Sequence, residues 1–332
     1  MEISFGLFDH LDARDEPVAR TFDERMETIL SAEAAGFRNY HLAEHHSTPL
    51  GMGPSPSVFL AAVARETSQI RIGPLVYLLP LYNPLRLTEE ICMLDHLSHG
   101  RLEVGVGRGV SPIELGFFGV DAEESSDMTN EALAVIKQGL TSERLSHHGK
   151  YFHFDDVPMS ISPLQETIPL WAASMSPQGL QKAAVENMHS ALLGSCEMVK
   201  EAVDLYRQQS TDSGASTRQG MLRLIVVSDS RDKAESLGRE ALGNWFTKLN
   251  KLWVEHNVEA PLIGAMGDFD IARKVGAVVV GTATEVADHL QQQIAETGVN
   301  HILAQMAFGN LPHADEMHSL QLFAERVMPQ LQ

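Results

Sequence analysis

Cysteine is nearly absent. Cys92 and Cys196 are the only two in 332 residues, far apart and without a metal-ligand spacing, which argues against a disulfide scaffold and fits two free thiols in a reducing compartment. Positive charge is also short: 25 Lys and Arg stand against 44 Asp and Glu, a formal net charge of −19. Such a surface repels a phosphate backbone and an anionic membrane, so neither nucleic acid nor lipid is an expected partner. No stretch approaches about 18 uncharged apolar residues, and no basic segment or small-residue cleavage site precedes the first apolar run. The expectation is a cytoplasmic chain acting on a small molecule. A low-complexity linker and a repeat of about 20–50 residues are missing too, which leaves one domain over 1–332.

What the chain does contain is alternation. Short apolar or β-branched runs near 2–8, 37–43, 70–79, 101–106, 168–173, 188–193, 220–228 and 299–307 read as strands. Stretches of helical period near 21–36, 57–66, 84–98, 127–140, 178–187, 197–210, 231–249 and 283–297 separate them, and 315–330 adds a last helix. Eight βα units predict an α/β fold, a (β/α)8 TIM barrel. Two segments break the rhythm and read as insertions above the C-terminal face. Residues 141–167 carry Tyr151-Phe152-His153-Phe154 between Gly149 and Pro158, a hairpin signature; residues 251–276 lack a clear period and read as a mobile loop.

Barrel enzymes place their polar site residues at strand C-terminal ends. The second strand runs into Glu44-His45-His46. Strand alternation sends at most one histidine into the mouth, where it can exchange a proton, with Glu44 able to orient it. Neither a zincin spacing nor a carboxylate at a fixed helical offset accompanies the pair, so no metal site is assigned. The fourth strand ends in Gly105-Val106-Gly107-Arg108-Gly109, a guanidinium between glycines that let a ligand approach. This is not a Rossmann fingerprint. The fifth strand enters Ser174-Met175-Ser176-Pro177-Gln178-Gly179, with Ser176 as N-cap and Pro177 first in the helix, a helix end suited to an anion. With Arg108 it makes a plausible phosphate clamp.

These motifs, with Gly73–Pro80, Pro84-Leu85-Arg86, the segment Leu94–Arg101 and the closing Val280-Gly281-Thr282 and Val327-Met328-Pro329, occur in the order seen in the bacterial luciferase α chain. The sequence resembles the bacterial luciferase-like flavin-dependent monooxygenases over nearly its whole length. That resemblance implies reduced FMN, supplied by a separate reductase, reacting with O2 through a flavin 4a-hydroperoxide to oxygenate a small organic substrate. It implies His45 and Glu44 as catalytic residues, with His46 structural. It implies Leu75, Val76, Gly107, Arg108, Met175, Ser176, Gln178 and Gly179 around the cofactor, with a non-proline cis bond at Leu75-Val76. Arg108, Ser176 and Gly179 match phosphate-binding positions. Gly107 replaces a cysteine and Met175 a glutamate, so light emission does not carry over, and Gly107 is expected to open space beside the flavin. The 251–276 loop is expected to exclude water. A homodimer is expected, with Leu87, Ile91, Leu94 and Leu97 on one helix face, although a face of this kind is more often barrel core. A deazaflavin-dependent dehydrogenase and a non-catalytic flavin-binding protein are the alternative readings.

Overall fold

The computed structural model describes residues 3–210, 217–260 and 264–331. Its strands are β1 (Ser4–Asp9), β2 (Asn39–Leu42), β3 (Arg71–Pro74), β4 (Tyr77–Leu78), β5 (Val104–Gly107), β6 (Arg144–His148), β7 (His153–Pro158), β8 (Leu170–Ala173), β9 (His189–Leu192), β10 (Gln219–Val227), β11 (Val278–Gly281) and β12 (His301–Gln305). The α-helices are α1 (Val18–Ala34), α2 (Pro56–Glu66), α3 (Pro84–Leu97), α4 (Pro112–Phe117), α5 (Ser125–Thr141), α6 (Pro177–Val185), α7 (Cys196–Gln209), α8 (Arg231–Glu255), α9 (Phe269–Lys274), α10 (Ala283–Thr297), α11 (His313–Leu322) and α12 (Met328–Leu331). All strands but β6 and β7 are parallel. They run β3-β2-β1-β12-β10-β9-β8-β5-β4, and a parallel bridge between Ile72 and Leu102 brings the two ends together. The result is a nearly closed α/β barrel whose helices cover the outside. Strands buried on both faces need no apolar–polar alternation, which is why they read as continuous apolar runs.

The barrel interior is layered. Toward the N-terminal ends, Trp171 is fully buried among His41, His189 and His301, and its Nε1 donates to Glu103 at 2.8 Å. Burial by itself raises a carboxyl's pKa, but the His41 contact and the Arg71 charge hold Glu103 well below the usual range. Above this polar plug lies an apolar floor of Phe8, Ala43, Leu75, Trp171 and Leu303, with Val76, Ala191 and Leu222 packed on it.

Three boundaries differ from the sequence expectations. The third strand is split: β3 stops at Pro74 and β4 starts at Tyr77, with a cis peptide at Leu75-Val76 between them. An additional strand, β11, pairs with the C-terminal half of β10; its run of three valines between Gly276 and Gly281 was a legible signal too short to separate from the preceding irregular stretch. Finally, 251–276 is largely helical where it is described, because α8 runs to Glu255 and α9 follows. Residues 261–263 of that expected loop lie outside the described residues, as does residue 2 of the first expected strand.

The hairpin forms as expected, from β6 and β7. It connects α5 to β8, a helix-to-strand connection, so it springs from the N-terminal end of the barrel and folds back along α5, where Glu131 accepts the Tyr151 and Phe152 amides. Its tip reaches the start of α5, where Lys150 pairs with Glu124, the N-cap residue of that helix. Leu87, Ile91 and Leu94 are at most 2 % exposed and belong to the main core, so that face of α3 is spent on the barrel and gives no support to a dimer. Among the described residues, no helix is long and apolar enough to cross a membrane.

Candidate active site

Glu44, His45 and His46 lie beyond the end of β2, so strand alternation no longer dictates where they point. Glu44 does not orient His45. Its fully buried carboxylate accepts from the Leu78 amide at 3.0 Å and pairs with His46 Nε2 at 2.8 Å, tying the end of β2 to β4. His46 also packs edge-on against Phe118. The partner of His45 is Glu114, whose Oε1 lies 3.3 Å from Nδ1 while Oε2 accepts the His46 amide at 2.7 Å. A carboxylate oxygen beside Nδ1 favours the tautomer that carries the ring proton there, with Nε2 as an acceptor. Sequence reading missed Glu114, although its local signal was visible: Ser111-Pro112-Ile113-Glu114 is a helix start, and Ser111 accepts the Glu114 amide.

His10, just past β1, was missed as well. Its Nδ1 lies 2.9 Å from Gln305 Nε2, and its ring sits 5.5 Å from His45 and 5.9 Å from Trp245. Burial, reinforced by the neighbouring His45, pushes its pKa well below the ordinary range, so the ring is neutral.

Trp245 belongs to α8, whose second half reaches over the strand ends. Lys248 donates to the carbonyls of Ala13 and Gly309 and pairs with Asp12 at 3.1 Å. Thr48 holds the Lys248 carbonyl, and His256 at the helix end packs against Phe117 of α4. The helix is thereby latched to loops following β1, β2, β5 and β12. Burial raises Asp12 to about 6 despite the opposing charges of Lys248 and Arg25, so the latch is an ion pair at neutral pH. The cover over this side of the mouth is thus a fixed helix, in place of the irregular loop expected from the sequence.

Across the mouth lie the cofactor candidates. A Cβ on Gly107 would come within 2.6 Å of Val76 Cγ2, and one on Gly105 within 2.6 Å of the Pro74 carbonyl oxygen. The glycines of β5 admit the split third strand. The space beside Gly107 is filled by Val76, contrary to the expectation that the glycine opens it. Gly107→Ala should cost about 1–3 kcal/mol by overpacking, read as a lowered unfolding midpoint; an unchanged midpoint would show that Val76 yields.

Arg108 is exposed and makes no hydrogen bond or ion pair among the described residues. Val106 pairs with Ala172, so continuing the register brings Arg108 level with Ser174. There Ser176 accepts the Gly179 amide at 3.2 Å and caps α6, while Gln178 at the second helical position has no intrahelical acceptor for its N–H. Gly179 has no room for a side chain, since its Cβ would meet Ser174 Oγ at 2.1 Å. Met175 is half-buried and packs on the core. The structure thus places Arg108 and the Ser176 helix end on adjacent strands, and His45 with Leu75 and Val76 at neighbouring ones.

A parallel barrel with titratable groups and an exposed guanidinium at its strand C-termini has the architecture in which barrel enzymes place their active sites. The profile of the luciferase-like monooxygenases matches residues 1–301, and the chain belongs to that family of oxidoreductases. It is 38 % identical to the uncharacterised protein y4wF of Sinorhizobium fredii, over 98 % of this chain and 97 % of that one. It is 26 % identical to the oxygenase component of a flavin-dependent trigonelline monooxygenase from Acinetobacter baylyi, covering 86 % and 84 %. Among solved structures it resembles the oxygenating constituent of 3,6-diketocamphane monooxygenase from Pseudomonas putida, determined in complex with FMN. The TM-score is 0.80 and the identity 19 %, covering 99 % of each chain.

Proposed function

We propose that this chain is the oxygenating component of a two-component monooxygenase, binding reduced FMN delivered by a separate flavin reductase and transferring one oxygen atom of O2 to a small organic substrate. The observation that carries this reading is the unpartnered Arg108 beside the Ser176-capped helix end, with the His45–Glu114 pair across the same mouth. The residues fit FMN: Arg108, the Gln178 amide and the close approach at Gly179 would hold the phosphate, and the floor at Leu75 and Val76 would carry the ring. Bound reduced FMN supplies the electrons that split O2, the second oxygen leaving as water. The chain's own work is to exclude bulk water, which α8 does from above, and to hold a proton acceptor at His45 Nε2.

Reduced FMN should bind more tightly than reduced riboflavin. A charge-assisted, partly buried hydrogen bond is worth roughly 1.5–3 kcal/mol, so Arg108→Ala should weaken FMN at least about tenfold and leave riboflavin nearly unchanged. Anaerobic titration of both flavins checks this. Equal losses would remove Arg108 from the phosphate, and a preference for a reduced deazaflavin over FMN would favour dehydrogenase chemistry.

A further inference from the structure

The ring order of the strands divides the barrel mouth. The phosphate end (β5, β8) and the split third strand (β3, β4) adjoin one another, so the proposed flavin occupies that half. The opposite half is bounded by β1, β12 and β10 with its following helix α8. His45, after β2, stands between the two. In the second half, His10 and Gln305 are polar groups set above an apolar floor that includes Phe8 and Leu303. His10 packs edge-on against Phe8 at 5.0 Å and beside Trp245.

The hydrogen bonding here is incomplete. The Gln305 amide donates to His10 Nδ1, which places the ring proton on Nε2. Nε2 has no partner among the described residues and is not completely buried. Gln305 itself is fully buried, and its Oε1 is also without a partner. An uncharged donor held by a buried amide, set above apolar side chains and 5.5 Å from the His45 ring, is the kind of group by which a site fixes the orientation of a mostly apolar ligand. Leaving that donor unpaired penalises an analogue that lacks the matching oxygen.

We propose that His10, held by Gln305, is a specificity-determining residue that donates its Nε2–H to an oxygen of the substrate, so that this half of the mouth selects an oxygen-bearing apolar molecule over its hydrocarbon analogue. This rests on the reading that reduced FMN fills the other half. His10 is a contact for the substrate, distinct from the proton-handling place given to His45.

The test is equilibrium binding of matched probes, decanal against decane and cyclohexanone against cyclohexane, to the protein loaded anaerobically with reduced FMN. Wild type should bind at least one oxygenated probe roughly tenfold or more tightly than its hydrocarbon partner. His10→Phe keeps the aromatic packing and should erase that preference while reduced-FMN affinity stays within about twofold. His10→Gln, which retains a donor, should keep part of it. If His10→Phe does not fold, Gln305→Leu carries the test, because freeing Nδ1 lets the proton leave Nε2 and should diminish the preference. Absence of any oxygen preference in wild type, or its survival in His10→Phe or in a folded Gln305→Leu, overturns the proposal. Failure of wild type to take up reduced FMN is read before any probe is added, and overturns the functional reading and this inference together.

Discussion

Replacing His45 with alanine should lower product formation by roughly 10²–10⁴ while reduced-FMN affinity stays within a few-fold. The geometry separates this from a merely structural effect. His45 contributes one contact to Glu114 and keeps 17 % of its side chain exposed, so its packing is worth about 1 kcal/mol. A variant that lost only stability would therefore keep near-normal turnover per folded molecule. What it loses on the proposed mechanism is Nε2, the acceptor at the mouth. Oxygen should still be consumed, with the electrons appearing as hydrogen peroxide instead of product. Glu114→Gln should act in the same direction but less severely, since an amide can still occupy the Nδ1 side without fixing the proton there. His46→Ala is the control: its ring is held by Glu44 and Phe118, and its loss should leave the ratio of product to peroxide intact. Wild-type coupling in His45→Ala, measured as product formed per oxygen consumed, would exclude His45 from the chemistry.

A comparably large effect is expected outside the proposed chemistry, at Glu316. This α11 carboxylate is fully buried against α1, taking Arg25 Nη1 at 2.8 Å, Arg14 Nη2 at 2.6 Å and the Thr28 hydroxyl at 2.5 Å. Burial raises a carboxyl's pKa, but Arg25, His313, Arg14 and Thr28 together outweigh it and bring Glu316 down to about 2. A depressed carboxyl pKa contributes stability that is present above its unfolded value, near 4.5, and is lost as pH falls from there toward 2. At about 1.4 kcal/mol per pKa unit, that is roughly 3 kcal/mol. Glu316→Gln should cost about 3–5 kcal/mol at neutral pH, because it leaves Arg25 buried with half its compensation. Between pH 4.5 and 2 the gap between wild type and variant should close. Urea unfolding of both proteins across that range measures it; a gap of constant size would show that Glu316 is not the group titrating.

Much of the molecule was legible along the chain because it follows from neighbours in sequence. The barrel's parallel strands are mostly buried and rich in apolar residues, Ser176-Pro177 favours a helix start by its own chemistry, and Gly105 and Gly107 report a close approach whatever makes it. The hairpin could be foreseen from Gly149 and its aromatic run, but not that its tip would fold along α5 onto Glu131.

Pairings between distant residues were beyond reach for a physical reason. Glu44 is adjacent in sequence to His45, yet the chain turns after Leu42, and a carboxylate goes to whichever donors the fold buries beside it: Leu78 and His46. His45 receives Glu114 from 69 residues away, His10 receives Gln305 from 295, and Glu316 meets Arg25 from 291. None of these separations carries a local pattern. The sequence by itself determined the α/β barrel, the capped helix ends and which residue types stand at the strand termini, since these depend on backbone preference and the period of apolar residues. Tertiary structure alone decided which polar group answers which, that Val76 fills the space beside Gly107, and that α8 covers the mouth, because a buried charge or a void is a property of the closed barrel and of no segment within it.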